Sequence, residues 1–303
     1  MIMSRRRQPS PAVAQTPATV PATAPETTPA PVLDEAEKTQ AGVVLEERLR
    51  EAVEEGRFHL NYQPVFSLRT GRPVAVEALL RWDSEVGPVS PGRFVPALEA
   101  MGLIVPVGNW VLEEACRQAR RWDDERPELG PLVMAVNISA RQLDKPGFAT
   151  AVRHALNSSG LPANRLSLEI TNAFLIREPQ AAWAELRQLK ALGVRLSIDD
   201  FGTAHSSISF VKSFSVDGVK IDRSFVAGLG KNVEDDAIVQ AVIGLAHALG
   251  LETVAEGVET DEQIEALHEL GCDFAQGYYF THPGSADAVA EGILRGPVRS
   301  LDR

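Results

Sequence analysis

Ser197-Ile198-Asp199-Asp200-Phe201-Gly202 is the stretch on which the reading of this chain turns. An alternating apolar run, Val194-Arg195-Leu196-Ser197-Ile198, ends on two adjacent carboxylates and then a glycine. A strand that stops this way brings two acids into one small space. Like charges that close repel unless a cation lies between them. A divalent metal held by oxygen ligands is the simplest site that wants such a pair. Aspartate is also a good turn residue, so the hexapeptide alone leaves a solvated turn open. The neighbouring strand ends decide between the two.

Outward from this point, strand-like and helix-like segments alternate. Upstream, Leu132 to Ile138 and Arg165 to Ile170 read as strands, and Phe148 to Ser158 and Pro179 to Leu192 as helices. Downstream, strands at Val216 to Ile221, Glu252 to Ala255 and Phe274 to Gln276 are separated by helices at Glu234 to Leu249 and Asp261 to Leu270. A short helix is expected at Ser206 to Ser213 and a closing one at Ala286 to Leu294. Nearer the start, an amphipathic helix from Gly42 to Glu55 precedes two strands, Phe58 to Phe66 and Val74 to Trp82, joined by Arg69-Thr70-Gly71-Arg72-Pro73 as a hairpin. Residues 83–92 are turn-rich, and helices follow at Phe94 to Ala100 and Val105 to Asp124. Repeated strand–helix units imply parallel strands with helices outside. Roughly eight units in about 250 residues is the size of an α/β, TIM-like (β/α)₈ barrel. A doubly wound open sheet is the runner-up, but no glycine-rich phosphate fingerprint follows an early strand.

A barrel carries its chemistry at the C-terminal ends of its strands. Those ends hold Glu77, Asn137, Glu169, the pair Asp199 and Asp200, Lys220 with Asp222, Glu256 with Glu259 one turn on, and Gln276. Singly, each has a bland reading as a helix cap, a rim charge or an edge-strand charge. Together they put a polar group at nearly every strand mouth, and unpaired carboxylates in one cleft destabilise a fold. Carboxylates and an amide without Cys or His select hard cations such as Mg²⁺ or Mn²⁺. Two such ions form a common arrangement for phosphodiester hydrolysis. Lys220 is suited to orienting water or neutralising developing charge, and Arg81 to offering a forked donor to phosphate.

The remaining composition bounds the partners. The 303-residue chain is 44% hydrophobic and carries a net charge of -11. Residues 1–40 balance four basic against four acidic side chains, so the acidic excess lies in residues 41–303. That argues against a polymeric nucleic-acid ligand, which needs a basic face. Residues 9–32 are almost uncharged Pro, Ala and Thr, which cannot bury enough surface to fold. Residues 1–40 are therefore expected to be a disordered tail, and 41–303 the barrel domain. No apolar run of about 18 residues is present to span a membrane. The two cysteines, Cys116 and Cys272, fit no zinc spacing and read as reduced, buried thiols of a cytoplasmic protein.

Glu77-Ala78-Leu79-Leu80-Arg81-Trp82 resembles the signature of the EAL domain family, the phosphodiesterases of cyclic di-GMP. The likeness extends in order through Tyr62-Gln63-Pro64, Asn137-Ile138-Ser139, Leu168-Glu169-Ile170-Thr171, Asp199-Asp200-Phe201-Gly202-Thr203, Val219-Lys220-Ile221-Asp222, Ala255-Glu256-Gly257-Val258-Glu259 and Gln276-Gly277-Tyr278, over about residues 43–290. The resemblance implies a barrel whose first strand is antiparallel to the rest. It implies hydrolysis of one phosphodiester of cyclic di-GMP to linear pGpG. On that basis Glu77, Asn137, Glu169 and Asp199 hold one metal, Asp199 and Asp200 serve a second, and Glu256 is a ligand or base. Lys220 contacts the nucleophilic water. Gln63, Leu79, Arg81, Asp222, Glu259 and Gln276 contact substrate or support residues that do. A homodimer is also implied.

The chain departs from the family pattern in one connected place. The loop after Thr203 reads Ala204-His205, where the family usually has Gly and then a large residue. Asn172 stands where a glutamate usually braces that loop. Thr203 and Asn172 are thus the expected loop supports. Complete metal ligands favour an enzyme. The altered loop favours the alternative, a catalytically weak or silent module that binds cyclic di-GMP or a protein.

Overall fold

The computed structural model describes residues 35–171, 180–202 and 215–294. The expected helix at Ser206 to Ser213, and Asn172, Thr203, Ala204 and His205, lie outside the described residues. Two units divide the chain at Gln40/Ala41, and of the first only the helical residues from Glu35 are described. The second unit holds the barrel.

Among the described residues nine strands form one sheet: β1 (Phe58–Ser67), β2 (Pro73–Ser84), β3 (Gly87–Val89), β4 (Val133–Ile138), β5 (Leu166–Thr171), β6 (Arg195–Phe201), β7 (Gly218–Ile221), β8 (Glu252–Ala255) and β9 (Phe274–Ala275). Eight of them close on themselves. β2, β4, β5, β6, β7, β8 and β9 run in parallel, each paired with the next. β1 closes the ring antiparallel to both β2 and β9. This is the expected barrel with its inverted first strand. The hairpin sets the inversion: Ser67 accepts from Gly71 N–H, and the chain returns at once into β2. The β1–β9 pairing is short, and Phe66 stacks on Phe280 across it with ring centroids 4.7 Å apart.

Among the described residues, helices lie between successive parallel strands except between β6 and β7, whose connection is outside them. Ile104–Glu125 is the longest within the barrel unit, burying Val107, Val111, Leu112, Ala115 and Ala119 at helical spacing while its arginines face solvent. Two polar caps fix helices beside strand mouths. Ser139 and Gln142 form a reciprocal cap directly after β4, and Thr260 and Gln263 form another after β8.

Three differences from the sequence reading have physical causes. The first helix runs Glu35–Glu54 rather than starting at Gly42, because Glu35-Ala36-Glu37-Lys38 are all good helix formers. The turn-rich 83–92 stretch contains β3, which pairs back on β2 across a Glu85–Val86 turn. Short helices Ala140–Leu143 and Arg223–Ala227 follow β4 and β7, each started by a capping side chain too local to show as periodicity.

Close packing at one glycine positions a strand end. A Cβ on Gly277 would lie 2.1 Å from Val258 O and 2.3 Å from Val258 N, backbone atoms that cannot step aside. Overpacking of this kind costs about 1–3 kcal/mol. The Gly277→Ala variant is therefore expected to unfold at a lower urea concentration, by about that much in free energy. An unchanged midpoint would show that the β8 and β9 loops are not held as described.

Candidate functional site

The parallel strands point the same way, so their C-terminal ends share one mouth. Alternation along each strand decides which side chains face it. Gln63 on β1 lies opposite Glu77 on β2, and Asn137 on β4 opposite Glu169 on β5. Leu79 and Arg81 continue the Glu77 face of β2 outward. Glu256 and Gln276 directly follow β8 and β9, where Glu256 N–H donates to Ile221 O and Gln276 N–H to Ala255 O.

Lys220 is the centre of this arrangement. Its side chain is 2% exposed, yet its ammonium meets four carboxylates: Glu256 at 2.5 Å, Glu169 at 2.9 Å, Glu77 at 3.2 Å and Asp199 at 4.0 Å. Burial alone would lower the lysine's proton affinity, but the carboxylates reverse this and raise it well above its ordinary value. Glu77 is buried too, which favours its neutral form. The Lys220 charge and hydrogen bonds from Gln276 and Asn137 outweigh that and keep its pKa low. Asn137 Nδ2 donates to Glu77 Oε1 at 2.6 Å. Gln276 Nε2 donates to Glu77 Oε2 at 2.8 Å and to Gln63 Oε1 at 3.0 Å. Gln63 Nε2 in turn donates to Thr281 O.

The double aspartate depends on a break in alternation. In a regular strand Asp199 and Asp200 would point to opposite faces. The β6–β7 register shifts between Ile198 and Phe201, and Asp200 adopts φ 55°, in the left-handed region. Asp200 N–H then donates to Asp199 Oδ1 at 2.9 Å. One ligand atom each from Asp199, Asp200 and Glu256 falls within 4.8 Å of the others.

Lys220 does not neutralise all of this charge. Burial, Asp199 and Asp222 push Asp200 up to about 6. Burial, Asp199 and Glu77 push Glu256 up to about 7 against the pull of Lys220. Burial and the same like charges raise Glu169 well above the carboxylate range. Gln276 Oε1 is buried with no hydrogen-bond partner among the described residues. The donor set is all oxygen, over-rich in negative charge and closely spaced, which fits a divalent hard cation.

The structure brings together Gln63, Glu77, Asn137, Glu169, Asp199, Asp200, Lys220, Glu256 and Gln276. Asp222 sits beside Asp200 and caps the helix Arg223–Ala227 through Ser224 N–H. Glu259 lies on the loop after β8, its N–H bonded to Gln263 Oε1. Three further residues escaped the sequence reading. Asn61 lies opposite Leu79, two residues from Gln63 on the same face of β1, and period-two alternation was the signal for it. Gln263 accepts from Glu259 and Thr260 N–H and donates to Val226 O, tying the Glu256 loop to the helix after β7. Tyr278, 56% exposed and packed on His282 with centroids 4.1 Å apart, stands close enough to Arg81 to influence its charge.

Two outcomes follow. Lys220→Met leaves buried carboxylates facing one another, a loss of about 3–5 kcal/mol when one partner of a buried pair is removed. In that variant the folded-state carboxylate pKa values stand above their unfolded values, so the penalty is full at high pH. It shrinks as pH falls and the groups protonate. Urea unfolding at pH 7.5 and 5.5 should show a larger loss at 7.5; an equal loss at both would contradict the ring of charge. Secondly, MgCl₂ or MnCl₂ should raise the thermal midpoint of the wild type, since a ligand that binds only the folded state stabilises it. Asp200→Asn should lose most of that rise, and a wild type indifferent to both ions would refute the cation site.

Comparison with known proteins adds relatives to this geometry. The family model for the EAL domain matches residues 46–283. The bifunctional diguanylate cyclase/cyclic di-GMP phosphodiesterase MucR of Pseudomonas aeruginosa is 42% identical over 246 residues, covering 81% of this chain and 36% of that protein. The cyclic di-GMP phosphodiesterase NbdA of the same organism is 39% identical over 267 residues, covering 86% of this chain and 34% of that protein. The chain spans about a third of the length of these curated relatives. The solved P. aeruginosa MucR phosphodiesterase in complex with c-di-GMP superposes with a TM-score of 0.77 at 42% identity, covering 81% of this chain and 99% of that one. The P. aeruginosa FimX EAL domain bound to c-di-GMP gives 0.72 at 26% identity, covering 81% and 98%. Among the described residues no helix is long and apolar enough to cross a membrane.

Proposed function

The chain belongs to the EAL domain family, and from that premise we propose that it is a cytoplasmic, metal-dependent phosphodiesterase that hydrolyses cyclic di-GMP to linear pGpG and lowers the level of this messenger. The observation that carries the reading is the buried Lys220 ringed by Glu77, Glu169, Asp199 and Glu256, with Asp200 completing an acidic triple at the rim. A purely structural barrel gains nothing from so many desolvated like charges.

Glu77, Asn137, Glu169 and Asp199 would hold one Mg²⁺ or Mn²⁺, and Asp199, Asp200 and Glu256 a second. When bound, such ions supply Lewis acidity at phosphorus and at the leaving oxygen. The reaction adds a water oxygen to one phosphorus, breaks that phosphorus–O3′ bond and leaves a 5′-phosphate and a 3′-hydroxyl. Lys220 holds the carboxylates at fixed spacing and lies within reach of the attacking water. Glu256 would serve either as that second-ion ligand or as the base that takes the water's proton. Arg81, half-buried above Glu77, would pair with a phosphate, and Leu79, Asn61 and Tyr278 would shape the seat of the dinucleotide. Gln63 and Gln276 act through Glu77, whose orientation they fix; Asp222 and Glu259 support the Asp200 and Glu256 loops. A homodimer of this domain completes the proposal.

Purified full-length protein with Mg²⁺ or Mn²⁺ should convert cyclic di-GMP to pGpG, resolved by chromatography, and Glu77→Ala should lose that conversion by at least about 10²-fold while still melting cooperatively. Binding without any product at high protein concentration would replace the enzyme by a cyclic di-GMP receptor. Neither binding nor product would remove the dinucleotide altogether.

A further inference from the structure

The interior layer directly beneath the carboxylate site is incomplete. Two residues down each strand from Glu77, Asn137, Glu169, Asp199 and Lys220 stand Ala75, Ala135, Ser167, Ser197 and Gly218. These face the barrel axis, because alternate residues of a strand share a face. Barrel interiors of this kind are normally filled by bulky branched side chains. Here five adjacent positions carry nothing larger than a hydroxymethyl group. Val65, Val254 and Phe274 supply bulk at this level, and Val74, Val133 and Leu196 also border the space.

The result is a cavity of about 120 Å³ whose lining includes all of these residues. Glu169 and Lys220 form its roof. Arg195, Asp217 and Glu252, at the N-terminal ends of β6, β7 and β8, form its floor, and their side chains are 31%, 33% and 47% exposed. The cavity therefore reaches from the solvent side of the barrel's N-terminal end to the underside of the lysine. The volume holds several water molecules, and Ser167 and Ser197 line it with hydroxyls that can bond to them. The mouth charges cancel in pairs, Arg195 with Glu252 and Lys190 with Asp217. That balance favours water and small neutral solutes over ions.

We propose that the N-terminal end of this barrel is a rear solvent entrance to Lys220, a tunnel roofed by the site, walled by Ala75, Ala135, Ser167, Ser197 and Gly218, and gated by the Arg195–Glu252 ion pair. It gives water a route to the buried ion-pair cluster that does not pass the C-terminal mouth. The inference stands on the cavity and does not depend on the reaction proposed above.

Thiol labelling tests it. Full-length Ser197→Cys is treated with methyl methanethiosulfonate, a small neutral reagent, and modification is followed by mass spectrometry. The native Cys116 and Cys272 are buried and report unfolding in the same sample. The introduced thiol should react at least about tenfold faster than either, because theirs requires local opening. Adding Ala135→Leu, which fills the tunnel, should slow it to their rate; Ala75→Val serves if that combination fails to fold. A Tyr278→Cys variant samples the opposite mouth, and its rate should ignore both filling substitutions. Cyclic di-GMP should protect Tyr278→Cys and leave Ser197→Cys reactive. Failure to protect Tyr278→Cys would count against dinucleotide binding alone. An inert Ser197→Cys, labelling indifferent to the filling variants, or protection of both thiols by the dinucleotide would overturn the rear entrance.

Discussion

One ammonium group holds the C-terminal mouth of this barrel in order. Lys220 Nζ contacts acids from β2, β5, β6 and the loop after β8, so a single cation ties together four elements and reaches an acid 143 residues away in sequence. Removing such a cation to a buried position is costly, and each carboxylate carries a desolvation cost of its own. The cluster persists because every member has several partners. Glu77 shows this best: it accepts from Asn137, Gln276 and Lys220, and is the one carboxylate of the ring whose pKa falls despite full burial. Glu169, Glu256 and Asp200, raised by burial and by neighbouring carboxylates, shift upward instead. The split separates the acid whose charge Lys220 and its amide donors favour from those crowded by like charge.

That split explains the shape of the site. Glu77, Asn137, Gln276 and Gln63 form a hydrogen-bonded base that is rigid before any ligand arrives. Asp199, Asp200 and Glu256 lie toward the rim and are under-neutralised. A site whose base is braced by its own donors keeps its ligands in place without needing an ion to fold. The backbone contributes as much as the side chains: the β6 irregularity and the left-handed Asp200 turn what would be two opposite-facing acids into neighbours.

Much of this was legible in the sequence, for a definite reason. Parallel strands of a barrel end at a common mouth, so reading the last residue of each apolar run recovers Glu77, Asn137, Glu169, Asp199, Lys220, Glu256 and Gln276 without any coordinates. The antiparallel first strand was legible only through family likeness and the hairpin. What the sequence could not supply was connectivity between distant pieces. Gln63 and Gln276 meet at Glu77 only because β1 and β9 close the ring, over a separation of 213 residues. Gln263, on a helix face, looks like any amphipathic polar position until its three bonds to loop and helix backbone are drawn. Lys220 read as one strand-mouth charge among several; only burial reveals it as the hub. The Asp199–Asp200 pairing was anticipated, while the bulge that achieves it has no local signature beyond the glycine that follows.

The small-residue layer below the site bears on how the barrel can be stable at all. At about 24 cal/mol per Å³, a dry void of 120 Å³ would cost about 3 kcal/mol. A penalty of that size is a large part of a domain's net stability. Water entering by the proposed route would remove most of it by filling the void. The same water would screen the Lys220 cluster from below, easing the desolvation that its carboxylates otherwise suffer. Bulky residues at Ala75, Ala135 and Ser197 would pack the barrel better and strand the charged ring in a drier interior. Small residues beneath a buried ion cluster are thus a consistent solution: hydrophobic packing is surrendered in the one layer where hydration of the layer above is worth more.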